Sequence, residues 1–173
     1  MRNKKVWNGE YRGVFYEISH HGISDYQPQG VWCYYIYIHE KQIQDKDMDK
    51  FNLPNYDYYT PFWNSLDWHC GMTYYSKEYG ADGNPLIFKA GCDYNHYWDE
   101  GYQYSESLLE VDAKNTIDKL LEQVTLKIRC LWDGCYDLPD NCVAHGDGYI
   151  NKNCIQARNE GLPKAEQITA DAA

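Results

Sequence analysis

The chain has 173 residues, with 26 acidic against 16 basic side chains and a formal net charge of −10. A chain of this length can bury its own core as one domain, and a field of this sign disfavours direct contact with nucleic-acid phosphates. No apolar run reaches the roughly 18 residues that a membrane-spanning helix needs.

The N-terminus, MRNKKVWNGEYRG, is basic but lacks the apolar stretch of a secretory signal, so a cytoplasmic location is expected. Residues 6–19 read as a first strand, or two short ones broken at Gly9 and Gly13. Val14, Tyr16 and Ile18 alternate there with Phe15, Glu17 and Ser19, which predicts a half-buried face. A loop rich in Gly, Asp and Pro follows over 20–30, with His20 and His21 in it. Val31 to Glu40, VWCYYIYIHE, is the clearest strand and pairs antiparallel with the first. In the polar stretch 41–59, Met48, Phe51 and Leu53 predict a short helical turn ended by Pro54. The aromatic run from Tyr56 to Trp63 reads as an ordered loop packed on the sheet, or as a binding lid.

Ser65 to Lys77 reads as the next strand, with Gly71 its weak point, and Asp82-Gly83-Asn84 is a strong turn signal. The hairpin partner is 86–99, LIFKAGCDYNHYWD, where Gly91 permits a bulge or a close backbone approach. Ser107 and Glu110 have capping-box spacing. Ala113, Ile117, Leu120, Leu121, Val124, Ile128 and Leu131 then form one apolar stripe of an amphipathic helix. From Cys130 onward the pattern is irregular. Cys130, Cys135, Cys142, His145 and Cys154 could hold a structural zinc ion, but no C-x-x-C pair is present. The expected architecture is α+β: an antiparallel sheet of about four or five strands packed against one long amphipathic helix. It forms a single domain over 1–155, followed by a tail over 156–173.

Seven cysteines, an odd number, fit a reducing compartment. Eighteen tyrosines and six tryptophans against four phenylalanines imply that many rings meet water or a partner, or line the wet face of a Tyr-rich sheet.

The polar residues concentrated after Gly91 define the candidate site. Asp93, His96 and Asp99 are spaced D-x-x-H-x-x-D. On a strand, 93 and 96 point to opposite faces, whereas in a turn all three converge. With His69 brought in by the hairpin, the set His69, Asp93, His96 and Asp99 suits zinc, manganese or iron. The structural alternative is that these groups bond one another and close the strand end. No cofactor is otherwise called for. Cys70 beside His69 is discounted as a nucleophile and base, because neighbours on a strand face opposite ways. No phosphate-cradling glycine loop, G-x-S-x-G elbow or H-E-x-x-H is present.

Two segments resemble a family of small tailed-bacteriophage proteins with an HGG[IL]TYS strand, a GFDC-x-H-x-x-D strand and then an amphipathic helix. Here the first reads HCGMTYYS (His69 to Ser76) and the second GCDYNHYWD (Gly91 to Asp99). Cys70 replaces a glycine, a tyrosine is inserted before the serine, and Cys92 stands where phenylalanine is usual. The match spans roughly residues 65–129. It implies an accessory phage product acting in the bacterial host cytoplasm.

With the acidic charge and the ring content, that context predicts a protein that works by binding. The expected role is an inhibitor of a bacterial defence system, an anti-CRISPR or similar anti-defence protein. It would occlude a basic or nucleotide-binding surface of a host protein or protein–nucleic acid complex. The residues expected to touch a ligand or partner are His69, Thr73, Tyr74, Asp93, Asn95, His96, Trp98 and Asp99. One alternative is a nucleotide sponge, stacking a base between rings in a homodimer cleft and using Arg12 or Lys89 for phosphate. The other is a small metal-dependent hydrolase.

Overall fold

The computed structural model describes residues 4–25, 28–53, 60–129 and 136–137. The first alternating segment forms two strands, β1 (Lys5–Tyr11) and β2 (Val14–His21). They join through Arg12 and Gly13, both at positive φ (48° and 83°), the conformation that a two-residue hairpin turn requires. The break therefore falls at Gly13 and not at Gly9, which stays inside β1 opposite Tyr16. His20 and His21 end β2 rather than lying in a loop.

Strand β3 (Val31–His39) pairs with β2, and the hairpin of β4 (Tyr74–Tyr79) and β5 (Pro85–Tyr94) completes the sheet. The order is β1-β2-β3-β5-β4, antiparallel throughout. Between β3 and β4 lie two short helices, α1 (Met48–Phe51) and α2 (Pro61–Asn64), which bury Phe51 and Trp63 in the core. Trp63 is thus a core side chain; residues 54–59 of that aromatic run lie outside the described residues.

The long helix α3 (Glu106–Gln123) covers one face of the sheet. It buries Leu109, Ala113, Ile117 and Leu120 against Val14, Tyr16, Ile18, Tyr34, Ile36, Phe88 and Ala90. Thr116 is buried in the same stripe, its hydroxyl meeting the Tyr34 hydroxyl at 2.8 Å and donating to the Asp67 carbonyl at 2.7 Å. The N-cap is Ser105, whose hydroxyl accepts the Leu108 amide, so the helix starts before the Ser107–Glu110 box expected from spacing.

The opposite face of the sheet is the tyrosine-rich, partly wet surface that the composition implied. Tyr35, Tyr37 and Tyr74 surround the Lys89 ammonium at 4.1, 4.8 and 5.7 Å from their ring centres. Gly91 lies under the Tyr35 ring: a Cβ there would stand 2.3 Å from Tyr35 Cδ1 and 2.5 Å from the Tyr34 carbonyl oxygen. Close approach, not a bulge, is what this glycine serves; the sheet irregularity is at Glu78/Tyr79. A short ladder joins β6 (Ile128–Arg129) to β7 (Tyr136–Asp137). The remaining C-terminal cysteines, His145 and the 156–173 tail lie outside the described residues. No helix among the described residues is long and apolar enough to cross a membrane.

Candidate functional site

The expected strand over 65–77 begins only at Tyr74, and residues 65–73 form a turn-rich loop. Its bend is at Cys70 and Gly71, both at positive φ (57° and 102°). A cysteine held in the left-handed region is unusual and costs about 1–2 kcal/mol. The bend removes the strand alternation that would have sent His69 and Cys70 to opposite faces. Both now meet the turn that follows β5, where Tyr97–Asp99 form a single 3-10 turn with His96 as its N-cap.

Asp99 is the hub of this meeting. Its side chain is 1% exposed. One oxygen accepts from the Tyr104 hydroxyl at 2.6 Å and from His69 Nε2 at 2.8 Å, and the other accepts the His96 amide at 2.8 Å. Burial opposes ionisation of Asp99. The bonds from Tyr104, the His96 amide and His69 outweigh it and hold the carboxyl below its usual range. Burial, and then the bond to Asp99, pushes the Tyr104 hydroxyl up.

The rings pack in order around this carboxylate. His69 stacks on Tyr94 with centroids 4.0 Å apart and planes 10° from parallel, and Tyr104 meets Tyr94 edge-on at 4.7 Å. Trp98 stacks on His96 at 5.1 Å and donates its indole N–H to Cys70 Sγ at 2.9 Å. Beneath them the Tyr94 hydroxyl donates to Asp112 of α3 at 2.5 Å, which anchors the site to the helix.

Of the residues expected from sequence, His69, His96, Trp98 and Asp99 come together. Thr73 and Asp93 do not join them. β5 ends at Tyr94, so Asp93 lies on the sheet face opposite buried Cys92 and Tyr94. Thr73 and Asp93 instead satisfy each other: the Thr73 hydroxyl donates to the Asp93 carboxylate at 2.6 Å and accepts the Asp93 amide at 3.1 Å. Tyr74 belongs to the ring cluster over Lys89, and Asn95 accepts a bond from the Ser24 hydroxyl. The metal-capable set is accordingly His69, Cys70 and His96, whose ligand atoms all lie within 4.8 Å of one another, and it excludes Asp93. Asp99 serves behind His69.

Strand alternation led the sequence to discount Cys70 beside His69, and nothing in the spacing singles out Tyr97, Tyr102 or Tyr104. The Cys-Gly pair ahead of β4 was the available signal for Cys70, because glycine at such a point marks a bend as readily as a weak strand. Tyr97, Trp98 and Tyr102 are 71%, 60% and 67% exposed, and Leu108 and Val111 in the first turns of α3 are exposed as well. No protein-family model, curated protein or solved structure matches the chain.

Proposed function

We propose that this α+β protein acts by binding, through the strip formed by Tyr97, Trp98, Tyr102 and the outer side of the first turns of α3. The observation that carries this reading is the pairing of exposed rings with charge of one sign. Residues 97–111 contain Glu100, Glu106 and Glu110 besides the buried Asp99, and not one Lys or Arg. Exposed tyrosine and tryptophan are the side chains that anchor interfaces, and carboxylates around them select a basic partner surface and speed its encounter.

With the phage-type resemblance, the partner class is a host defence protein or protein–nucleic acid complex. Inhibition is by occlusion of its nucleic-acid- or nucleotide-binding surface in the bacterial cytoplasm. A nucleotide sponge is less well supported, because both cations expected to take its phosphate are engaged. Arg12 pairs with Asp118 at 2.7 Å, and Lys89 sits among three tyrosine rings with Glu17 at 3.9 Å.

The test is affinity capture from host lysate with three proteins: wild type, a Tyr97→Ser/Trp98→Ala/Tyr102→Ser variant, and Phe15→Ser on the far sheet face. A stoichiometric partner retained by wild type and Phe15→Ser, and lost by the triple variant at unchanged melting temperature, is the expected result. A partner bound equally by all three would overturn the assignment of the strip.

A further inference from the structure

We propose that His69, Cys70 and His96 form a three-ligand site for a thiophilic divalent cation of the zinc class, with the fourth coordination position open to solvent. This site borders the docking strip at Trp98 but its ligands lie outside the strip, so either proposal can fail without the other. One thiol and two imidazoles are the ligand chemistry that selects zinc over magnesium or calcium. Three protein ligands with an open position are a recurring zinc arrangement.

The three ligand atoms lie within 4.8 Å of one another. Tetrahedral zinc, with bonds of about 2.0–2.3 Å, draws such atoms to separations of about 3.3–3.6 Å. Closing the site therefore takes side-chain movement of roughly 1 Å and no change of fold. His69 and Cys70 come from the bend before β4 and His96 from the start of the turn after β5, so the ion would tie the two segments together.

Three features around the cluster point to a ligand. First, His96 Nε2 is buried with no hydrogen-bond partner among the described residues, a state that polar atoms in folded proteins rarely keep. Second, His69 donates Nε2–H to the buried Asp99 carboxylate at 2.8 Å. That bond fixes the tautomer, leaves the lone pair on Nδ1 and orients the ring, as carboxylates behind metal-binding histidines do. Third, the Trp98 indole N–H reaches Cys70 Sγ at 2.9 Å, supplying the hydrogen bond that a metal thiolate accepts. Ligation through His96 Nε2 places that ring's proton on Nδ1. It gives up the contact between the ring and the Asp99 amide, which keeps its bond to the His96 carbonyl at 2.9 Å.

Cys70 allows a clean test. Its φ of 57° suits glycine better than cysteine, so Cys70→Gly removes the ligand while relieving backbone strain. The full-length reduced protein is titrated with cobalt(II) and with zinc(II), following thiolate-to-cobalt charge-transfer absorption, tryptophan fluorescence and metal stoichiometry. Wild type should bind one more equivalent than Cys70→Gly, with a charge-transfer component and a fluorescence change that the variant lacks. Asp99→Asn should weaken that equivalent by about 10–100-fold. Because Cys130, Cys135, Cys142, His145 and Cys154 can take metal themselves, the difference between the proteins is what is read. A folded Cys70→Gly protein with the stoichiometry and spectrum of wild type overturns the proposal, as does a wild type that takes up no metal.

Discussion

Asp99 organises its surroundings with three bonds, and each donor comes from a different part of the site: Tyr104 leading into α3, the His96 amide, and His69 from the bend before β4. Its carboxyl is held below the ordinary range, so the stability it contributes is complete above about pH 4 and is lost as pH falls through the depressed value. Asp99→Asn should cost about 2–3 kcal/mol at neutral pH and flatten the acid limb of stability. Denaturant titrations at neutral and acidic pH check this, and an unchanged acid limb would contradict it. At Gly91 an added methyl meets the Tyr35 ring and the Tyr34 carbonyl. Gly91→Ala should therefore destabilise by about 1–3 kcal/mol, and removing the ring alone should not restore stability because the carbonyl remains. The sequence marked Gly91 as a bulge or a close approach, and did not decide between them; the crowding by Tyr35 and the Tyr34 carbonyl makes it the second. The part played by Cys70 was hidden, because it follows from a bend that strand-like alternation across 65–77 concealed.

At the level of elements, the tyrosine surplus has a use that composition could not specify. Tyrosines of the sheet reach across to carboxylates of α3: Tyr94 to Asp112 at 2.5 Å, Tyr16 to Glu110 at 2.8 Å and Tyr11 to Asp118 at 3.3 Å. A ring that packs apolarly and ends in a donor suits an acidic helix lying on a sheet. Tyr94→Phe should lose about 1.5–3 kcal/mol, the range for a bond to a charged acceptor, read as a lower denaturant midpoint at unchanged slope. The Tyr16 hydroxyl is pushed up to about 12 by burial and then by Glu110. The stability of its neutral form is thus present below about pH 10 and is lost as pH rises through about 12. Tyr16→Phe should reduce alkaline destabilisation in that window, measured by thermal melts across it; melts that stay parallel to wild type would argue against the contact. The helix as far as Gln123 and the strands of the first half were readable because burial imposes periods of 3.6 and 2 on their residues. Ile128, expected in the helical stripe, lies instead in β6, and β4 shows no alternation to read. The start of α3 was displaced because two serines, Ser105 and Ser107, each precede apolar residues at capping distance, and only packing decides between them.

Across the whole molecule, one sheet face is sealed by α3, the other carries tyrosines around Lys89, and the most exposed rings gather beyond the end of β5. Four of the eight residues singled out from sequence meet there, because the hairpin register brings the two motif segments side by side. Asp93 leaves the group because strand alternation persists through Tyr94, two residues past Cys92. The exposure of Tyr97 and Tyr102 depends on where the chain leaves the sheet, which no local spacing encodes. The most direct measurement of the binding role is amide hydrogen exchange on the isolated partner complex against the free protein. Occlusion through the strip predicts slowed exchange over residues 95–111 with β1 and β2 unchanged; protection confined to β1, β2 or the Lys89 face would contradict it.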